Sequence, residues 1–209
     1  MATMSSEPVV ILIDDDAAVL DALALLLHSV KLEVETYSSA DAFLTGLQTR
    51  LPSPRACIVT DVRMPGMSGL DLQAELARRN VRIPIIIISA HADVPITVRA
   101  MQSGALSVLE KPVNEQELID LIHRALNDAT ADAPLASNPA LAERRARLTD
   151  RQRDVFDGLM RGLQTKEVAR RLGLSHRTVE VHRANILERL QVGSFSQLLR
   201  ELLAHSKPG

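Results

Sequence analysis

The sequence predicts two domains of different fold class: an α/β domain built on a five-stranded, doubly wound parallel sheet, and an all-α domain that follows it. Three observations lead to this prediction. Short apolar runs alternate with helical patterns over residues 1–127, as in a parallel sheet covered by helices on both faces. From Leu148 onward the apolar residues recur only at helical spacing. Residues 1–127 carry 10 Lys and Arg against 16 Asp and Glu, whereas residues 128–209 carry 14 against 10.

The α/β domain is predicted to alternate strands with helices along the chain. Its strands are predicted over residues 9–13, 32–37, 56–60, 83–89 and 105–110. Its helices are predicted over residues 17–30, 39–48, 69–80, 94–104 and 114–129. Several strand runs, such as "VVILI" and "ACIVT", are continuously apolar, which is typical of strands that are buried on both faces. This pattern of a helix after every strand predicts the doubly wound sheet.

A linker and four helices are predicted to follow. Residues 128–147 are rich in Ala, include two prolines and lack a strong apolar face, which indicates a linker that is partly helical. The second domain, residues 148–209, opens with a helix that starts at a capping box of Thr149 and Gln152. Ser175 is expected to cap the third helix. The later three helices are predicted over residues 165–172, 176–191 and 196–205.

Composition and charge exclude several classes of protein. Because only 2% of the residues are aromatic, the cores must be built from Leu, Ile, Val and Ala. The single cysteine, Cys57, excludes a disulfide framework and a Cys-based zinc site, and its apolar surroundings predict a buried thiol. The sequence shows no signal peptide and no membrane-spanning run, so we expect a cytoplasmic protein without a membrane partner. The basic second domain indicates a nucleic-acid partner.

Acidic side chains follow two of the predicted strands. Asp14, Asp15 and Asp16 come directly after the first strand, and Asp61 comes directly after the third. The carboxyl ends of parallel strands meet at one edge of a sheet, so these carboxylates are expected to converge there. Crowded carboxylates repel unless a cation compensates, and oxygen ligands suit a hard divalent ion such as Mg²⁺. The alternative is that the three acids only cap the next helix, and for Asp16 we favour that interpretation.

A hydroxyl and an ammonium group are predicted at the same edge. Ser89 ends the fourth strand and Lys111 follows the fifth. Together with the acids, this set suits phosphoryl transfer to a carboxylate, in which Lys111 balances the added charge and Ser89 hydrogen-bonds to the product.

Four motifs carry a resemblance to a known family. The segments "LIDDD", "TDVRMPGMSGLDL", "IIIISAHADVPITVRAMQSGA" and "LEKP" resemble the flavodoxin-like receiver domain of the FixJ-like two-component response regulators. The resemblance implies that Asp61 is the phosphoacceptor. It implies that Asp15 and Asp61 bind Mg²⁺ directly, that Asp14 binds it through water, and that the backbone carbonyl of Arg63 is a further ligand. It also implies a cis peptide bond between Lys111 and Pro112.

The chain departs from the receiver pattern at one switch position. Receivers usually carry Phe or Tyr three residues before the Lys, and here that position is Val108. Val113 likewise stands where Phe is common. A rotating aromatic reporter cannot operate at a valine, so we expect activation to rely on backbone shifts of residues 90–104.

The third helix of the second domain is predicted to face DNA. If Val179 marks the inward centre, Ile186 and Leu190 also face inward. The outward residues are Arg177, Glu180, Val181 and Ala184, with Thr178 and Asn185 on one flank. Such a mixed polar and small apolar face suits a major groove, although a solvated face on an ordinary helical bundle would look similar. The residues expected to meet phosphates are Lys166, Arg170, Arg171 and Arg183.

The second domain also resembles a known module. Residues 148–190 resemble the four-helix LuxR-type helix-turn-helix domain, and the motif itself is implied to span roughly Gln164 to Arg183. In that family the helix that follows Ser175 is the recognition helix, and the last helix pairs protomers on DNA. His176 and His182 are expected to make polar contacts or to pack, because no third metal ligand lies nearby in the sequence.

The two resemblances together predict a transcriptional response regulator. Its expected partners are a sensor histidine kinase that phosphorylates Asp61, double-stranded promoter DNA, RNA polymerase and, after phosphorylation, a second copy of the chain. We do not expect a dedicated enzyme, although the protein is expected to assist its own dephosphorylation. A phosphatase of the haloacid-dehalogenase type would need a second Asp two residues after Asp61, where Arg63 stands. A constitutive DNA-binding protein with a silent receiver is the third alternative.

Overall fold

Five parallel strands form a single sheet in the order β2-β1-β3-β4-β5. The structure is a computed structural model, and it describes residues 7–49, 53–90, 94–127 and 139–203. The strands are β1 (Val9–Ile13), β2 (Glu33–Tyr37), β3 (Ala56–Asp61), β4 (Ile85–Ser89) and β5 (Ser107–Glu110). The predicted strands and their parallel pairing are therefore confirmed, with ends that differ by at most two residues.

Helices lie in the connections between the strands and form most of the described chain after the sheet. In order they are α1 (Ala17–Ser29), α2 (Ala40–Thr49), α3 (Gly69–Arg78), α4 (Val94–Gln102), α5 (Glu115–Asn127), α6 (Pro139–Ala146), α7 (Asp150–Met160), α8 (Thr165–Leu172), α9 (His176–Leu190) and α10 (Phe195–Leu203). The chain divides into two compact units. The first holds the sheet with α1, α2, α3 and α5, and the second holds α4 with α6 to α10.

The core of the first unit is built in part from β-branched residues of the strands. β3 and β4 are buried along their whole length, which explains why their sequences are apolar without alternation. In the register of the sheet Val10 lies beside Cys57, and Val59 lies beside Ile86. These residues pack in one cluster with helix residues that include Leu27, Leu118, Leu121 and Ile122. The fixed register sets the height at which each strand ends, and so positions the polar side chains described below.

Caps mark the helix ends of the second unit. The capping box of Thr149 and Gln152 is present at the start of α7, as predicted. Gly173 ends α8 in the left-handed conformation, with φ of 63°. Ser175 caps α9 by accepting a hydrogen bond from the backbone N–H of Thr178 at 3.0 Å. Helix α9 ends at Leu190, one residue earlier than predicted, because Gln191 adopts the left-handed conformation.

The predicted linker contains one described helix, α6. Its Arg144 guanidinium donates a hydrogen bond to the carbonyl of Leu190 at 3.1 Å, and Arg189 donates to the carbonyl of Arg147 at 3.2 Å. Helix α6 therefore attaches to the C-terminal end of α9. Residues 128–138 lie outside the described residues. None of the helices in the described ranges is long and apolar enough to span a membrane.

Candidate functional site

The candidate phosphoacceptor site lies where the strand order reverses, between β1 and β3. In doubly wound sheets the loops part at this point and leave a crevice beyond the carboxyl ends of the strands. Asp61 is the last residue of β3, and Asp14 directly follows β1. Both carboxylates are buried, with relative exposures of 7% and 5%. The structure thus brings together the two acids that the sequence placed on separate strands.

One ammonium group bridges the two buried carboxylates. The Nζ of Lys111, which follows β5, lies 2.7 Å from Oδ1 of Asp61 and 2.9 Å from Oδ2 of Asp14. Burial alone lowers the pKa of Lys111, but the hydrogen bonds to Asp61 and Asp14 and their negative charges outweigh that effect. The net result is a raised pKa, so Lys111 is a fixed positive charge between two acids.

Backbone groups hold the remaining carboxylate oxygens. The N–H of Arg63 donates to Oδ2 of Asp61 at 2.5 Å, and the N–H of Asp16 donates to Oδ1 of Asp14 at 2.9 Å. Asp16 in turn caps α1 through the N–H of Ala18, which is the role favoured from the sequence. Both buried acids are therefore oriented by short loops that follow their strands.

Gly69 is a site residue that the sequence reasoning missed. A Cβ built on Gly69 would lie 2.3 Å from the backbone carbonyl oxygen of Asp61, which is far inside a van der Waals contact. The N–H of Gly69 also donates to the carbonyl of Val62 at 3.1 Å. Helix α3 can therefore begin directly against the strand end that carries Asp61 only because position 69 has no side chain. The glycine at the first position of the predicted helix was the available signal.

The remaining predicted residues take different places around the pair. Ser89 ends β4 and is 1% exposed, and its carbonyl accepts from the N–H of Lys111 at 2.9 Å. Val108 is 3% exposed in β5. Asp15 is exposed beside Asp14. The peptide bond between Lys111 and Pro112 is cis, as predicted. The roles assigned to these residues stay predictions.

The donors at this edge fit a hard divalent cation in their chemistry. They are carboxylate oxygens from Asp14, Asp15 and Asp61, with the backbone carbonyl of Arg63 as a further oxygen. Two buried carboxylates that share one ammonium also show that this edge needs positive charge. Within the described ranges, however, no three His, Cys, Asp or Glu side chains are grouped as metal ligands. Magnesium binding therefore stays a prediction.

Cys57 lies below the site, within the sheet core. It is fully buried, as the sequence predicted, and burial raises the pKa of its thiol to about 12. A thiol of this kind is unreactive, so Cys57 serves packing and takes no part in the chemistry of the site.

Helix α9 presents the predicted outer face. Val179, Ile186 and Leu190 are fully buried, which confirms the inward side of the helix. Val181 is 52% exposed. The other residues predicted on the outer face and flank are exposed or half-buried: Arg177, Thr178, Glu180, Ala184 and Asn185. The helix thus offers a mixed apolar and polar surface of the kind that suits a DNA groove.

The basic residues of the second unit differ in how they are held. Lys166 and Arg170 are exposed on α8. Arg171 pairs with Glu167 at 2.7 Å, one helical turn away. Arg183 is half-buried and pairs with Glu180 at 2.9 Å, an arrangement that a helical projection does not show. His176 is exposed and His182 is half-buried.

Comparisons with known proteins match two consecutive segments of the chain. Residues 10–123 match the response regulator receiver domain, and residues 146–202 match the bacterial regulatory proteins of the luxR family. The first match alone spans more than half of the 209 residues.

The chain is a response regulator.

Curated relatives of this response regulator are similar over nearly its whole length. Transcriptional regulatory protein FixJ of Azorhizobium caulinodans is 42% identical over 192 residues, which are 91% of this chain and 90% of that protein. Response regulator protein TodT of Pseudomonas putida is 41% identical over 195 residues, which are 92% of this chain and 84% of that protein. The FixJ relative is named a transcriptional regulatory protein.

Solved structures give the same picture. The structure of response regulator StyR shares 40% identity, covers 95% of this chain and 100% of its own, and has a TM-score of 0.55. The structure of full-length FixJ from B. japonicum shares 38% identity with this chain and has a TM-score of 0.54. The match covers 94% of this chain and 96% of that FixJ chain. Response regulators of this type are transcription regulators that phosphorylation activates. This protein therefore combines a receiver domain with a LuxR-type DNA-binding domain and regulates transcription.

Proposed function

We propose that this response regulator accepts a phosphoryl group on Asp61 and then binds promoter DNA through α9 as a dimer. One observation supports the site above all others: the pair of buried carboxylates, Asp14 and Asp61, that share the ammonium of Lys111 at the switch point of the sheet. A buried carboxylate at the open edge of a sheet is both protected from bulk water and reachable by a phosphodonor.

The proposed step is the transfer of a phosphoryl group to one oxygen of Asp61. That oxygen attacks phosphorus, the bond from phosphorus to the donor breaks, and the donor leaves with the bonding electrons. With acetyl phosphate as the donor, the leaving group is acetate. Lys111 lies 2.7 Å from the carboxylate and would balance the charge that the phosphoryl group adds. The N–H of Arg63 orients the second oxygen of the same carboxylate.

Magnesium is the cofactor that we propose for this step. Asp15 and Asp61 would bind the ion directly, Asp14 through water, and the backbone carbonyl of Arg63 would complete the protein ligands. When bound, the ion neutralises charge on the phosphoryl oxygens. The exposure of Asp15 beside two buried acids supports this arrangement, because an exposed carboxylate can turn toward the edge without losing a partner that the core requires.

Ser89 and Val108 are proposed to pass the change on to the rest of the receiver domain. Ser89 is buried at the end of β4 and would hydrogen-bond to the phosphoryl group. Val108 is buried in β5, next to Ile87 of β4, and offers no ring that could rotate between two positions. We propose that the backbone of residues 90–104 shifts instead; residues 91–93 of this segment lie outside the described residues.

The proposed partners follow from the two domains. A sensor histidine kinase would supply the phosphoryl group, and double-stranded promoter DNA and RNA polymerase would meet the active dimer. On DNA, the exposed Lys166 and Arg170 of α8 are proposed to meet phosphates, while Glu180, Val181 and Ala184 of α9 reach base edges. Their exposure on one unit with a surplus of basic residues supports this division of roles.

Phosphorylation with acetyl phosphate and Mg²⁺ tests the proposed acceptor. The wild-type chain is expected to shift on a phosphate-affinity gel, and Asp61→Asn is expected not to shift, because an amide of nearly the same shape cannot form the acyl phosphate. Asp16→Asn is the matched control, since Asp16 is exposed, caps α1 and is not assigned to the acceptor. A shift that persists in Asp61→Asn would remove Asp61 from this role.

A further inference from the structure

The guanidinium group of Arg183 is engaged within its own domain. Its Nη1 lies 2.9 Å from both carboxylate oxygens of Glu180, one turn earlier on α9. Its central carbon lies 5.4 Å from the ring centroid of Phe195, the first residue of α10. The Arg183 side chain is only 24% exposed, and its Nε is buried without a hydrogen-bond partner among the described residues.

This arrangement differs from an ordinary ion pair on a helix surface. An exposed pair one turn apart contributes little, because both side chains are mobile and water screens their charges. Here the cation is stacked against a ring that is 6% exposed, so one of the two partners cannot move freely. The guanidinium thus already holds Glu180 and packs on Phe195, so a contact with a DNA phosphate would have to compete with these partners.

Glu180 gains a fixed position and a balanced charge from this contact. Its side chain is 41% exposed, beside Val181 on the outer face of α9. The exocyclic amines of cytosine and adenine are the hydrogen-bond donors in a major groove, and a carboxylate is the usual partner of cytosine, whereas adenine is usually read by a bidentate Asn or Gln. Without a neighbouring cation the same carboxylate would be repelled by the phosphates on both sides of the groove.

We propose that Arg183 is a positioning residue for base selection and not a phosphate anchor. Phe195 holds the guanidinium, the guanidinium holds Glu180, and Glu180 selects a cytosine at one position of each half-site. The inference rests on the proposed DNA-binding role of α9, and it adds a specificity determinant on α10, a helix that does not itself enter the groove in this account. The buried Phe195 ring thereby affects which DNA sequence the domain prefers.

The test measures dissociation constants of the full chain on a selected DNA site and on versions of it with single base-pair changes. The single variants are Glu180→Gln, Arg183→Lys and Phe195→Leu. Arg183→Lys and Phe195→Leu are also each combined with Glu180→Gln. Arg183→Lys keeps the charge and loses the planar stacking group, whereas Phe195→Leu removes the ring. Arg170→Gln, on the exposed face of α8, is the control for a phosphate contact. Circular dichroism of each variant checks that the helices remain folded.

All three single variants are expected to lose discrimination at the same base-pair position, by about tenfold, and to keep the salt dependence of the wild type. In the Glu180→Gln background, Arg183→Lys and Phe195→Leu are expected to have no further effect on discrimination, because all three act through one carboxylate. Arg170→Gln is instead expected to weaken binding to all sequences alike and to reduce the salt slope by about one unit.

Two results would overturn the inference while leaving the proposed function intact. One is that Arg183→Lys and Phe195→Leu leave discrimination unchanged while Glu180→Gln abolishes it. The other is that an Arg183→Gln variant behaves like Arg170→Gln, with uniform weakening and a smaller salt slope. If the wild-type chain itself binds selected and scrambled DNA equally, the proposed function fails, and the inference fails with it. Should Phe195→Leu lose helical structure, Arg183→Lys alone decides, because lysine keeps the positive charge and a long aliphatic chain at this half-buried position.

Discussion

Lys111 is the residue whose charge compensates the two buried carboxylates of the receiver site. It touches Asp61 at 2.7 Å and Asp14 at 2.9 Å, and its removal would leave two buried carboxylates facing each other. Uncompensated buried charges of like sign are strongly unfavourable. We therefore expect the same group to stabilise the folded chain, and we propose that it balances the added charge after phosphorylation.

A pH titration of stability tests this role of Lys111. The pKa of Lys111 is raised above its ordinary value of 10.5 in the folded chain, so the folded state holds this proton more tightly than the unfolded state. Its stabilising effect is therefore complete below pH 10.5 and is lost as the pH rises through the higher, folded pKa. We expect the difference in the free energy of unfolding between wild type and Lys111→Met to be constant near neutral pH and to shrink at alkaline pH. Urea titrations at each pH measure it, and a difference that does not vary with pH would contradict this account.

Single residues also show what could be predicted from the sequence and what could not. Asp14, Asp61 and Lys111 were predictable because each follows a strand, and parallel strands end at one edge. The engagement of Arg183 was not, because a helical projection gives the direction of a side chain and not its partner on another helix. Phe195 lies twelve positions later in the sequence, and nothing in the local pattern links the two residues.

At the scale of elements, the start of α3 is fixed by its approach to the end of β3. Gly69 allows that approach, since a Cβ there would lie 2.3 Å from the carbonyl oxygen of Asp61. The N-cap of the same helix, Ser68, forms a capping box with Asp71 and holds the helix end in place. The helix therefore cannot retreat easily to make room for a larger residue.

Gly69→Ala is expected to destabilise the first unit by about 1–3 kcal/mol, the usual cost of forcing an extra methyl group into a packed site. Gly46→Ala is the matched control. It lies within α2, its nearest neighbour is the Tyr37 ring at 3.4 Å, and alanine favours a helix over glycine by about 1 kcal/mol. Hydrogen exchange of the β3 amides, read by mass spectrometry, reports the first unit alone. Equal protection in the two variants would show that the close approach carries no cost.

Elements were predicted well where periodicity and burial agree. The apolar runs of β3 and β4 are buried along their whole length, so the pattern and the structure coincide. Helix ends were less certain, because they depend on the conformation of single residues. Gln191 adopts φ of 55° and ends α9, although glutamine rarely takes that conformation and gave no signal. The attachment of α6 to α9 was also not predictable, since it rests on two backbone carbonyls that accept from Arg144 and Arg189.

At the scale of the whole molecule, we propose that a chemical change at Asp61 causes a change in assembly. The predicted linker of residues 128–147 separates the two predicted domains, and the two family matches end at residue 123 and begin at residue 146. In the proposed dimer, the effect of the phosphoryl group has to reach a surface that a second copy can bind. We propose that this surface is the segment of residues 94–110, because it connects Ser89 with Lys111.

Phosphorylation is expected to raise the fraction of dimer. The new phosphoryl contacts would favour one of two conformations of the segment of residues 94–110, and a ligand shifts such an equilibrium only by its difference in affinity for the two. Sedimentation with beryllofluoride, which mimics a phosphoryl group, measures the change, with Asp61→Asn as the control that should stay unaffected. A monomer at all concentrations that still activates transcription would rule out the dimer.

Retention of genomic DNA fragments with and without acetyl phosphate is the most direct test of the central claim, that a phosphoryl group on Asp61 controls DNA binding. The full chain is immobilised, incubated with fragments in the presence of Mg²⁺, and the retained DNA is sequenced. We predict that the phosphodonor enriches a defined set of fragments for the wild-type chain and none for Asp61→Asn. Equal retention with and without the donor, or equal stimulation of Asp61→Asn, would contradict the account.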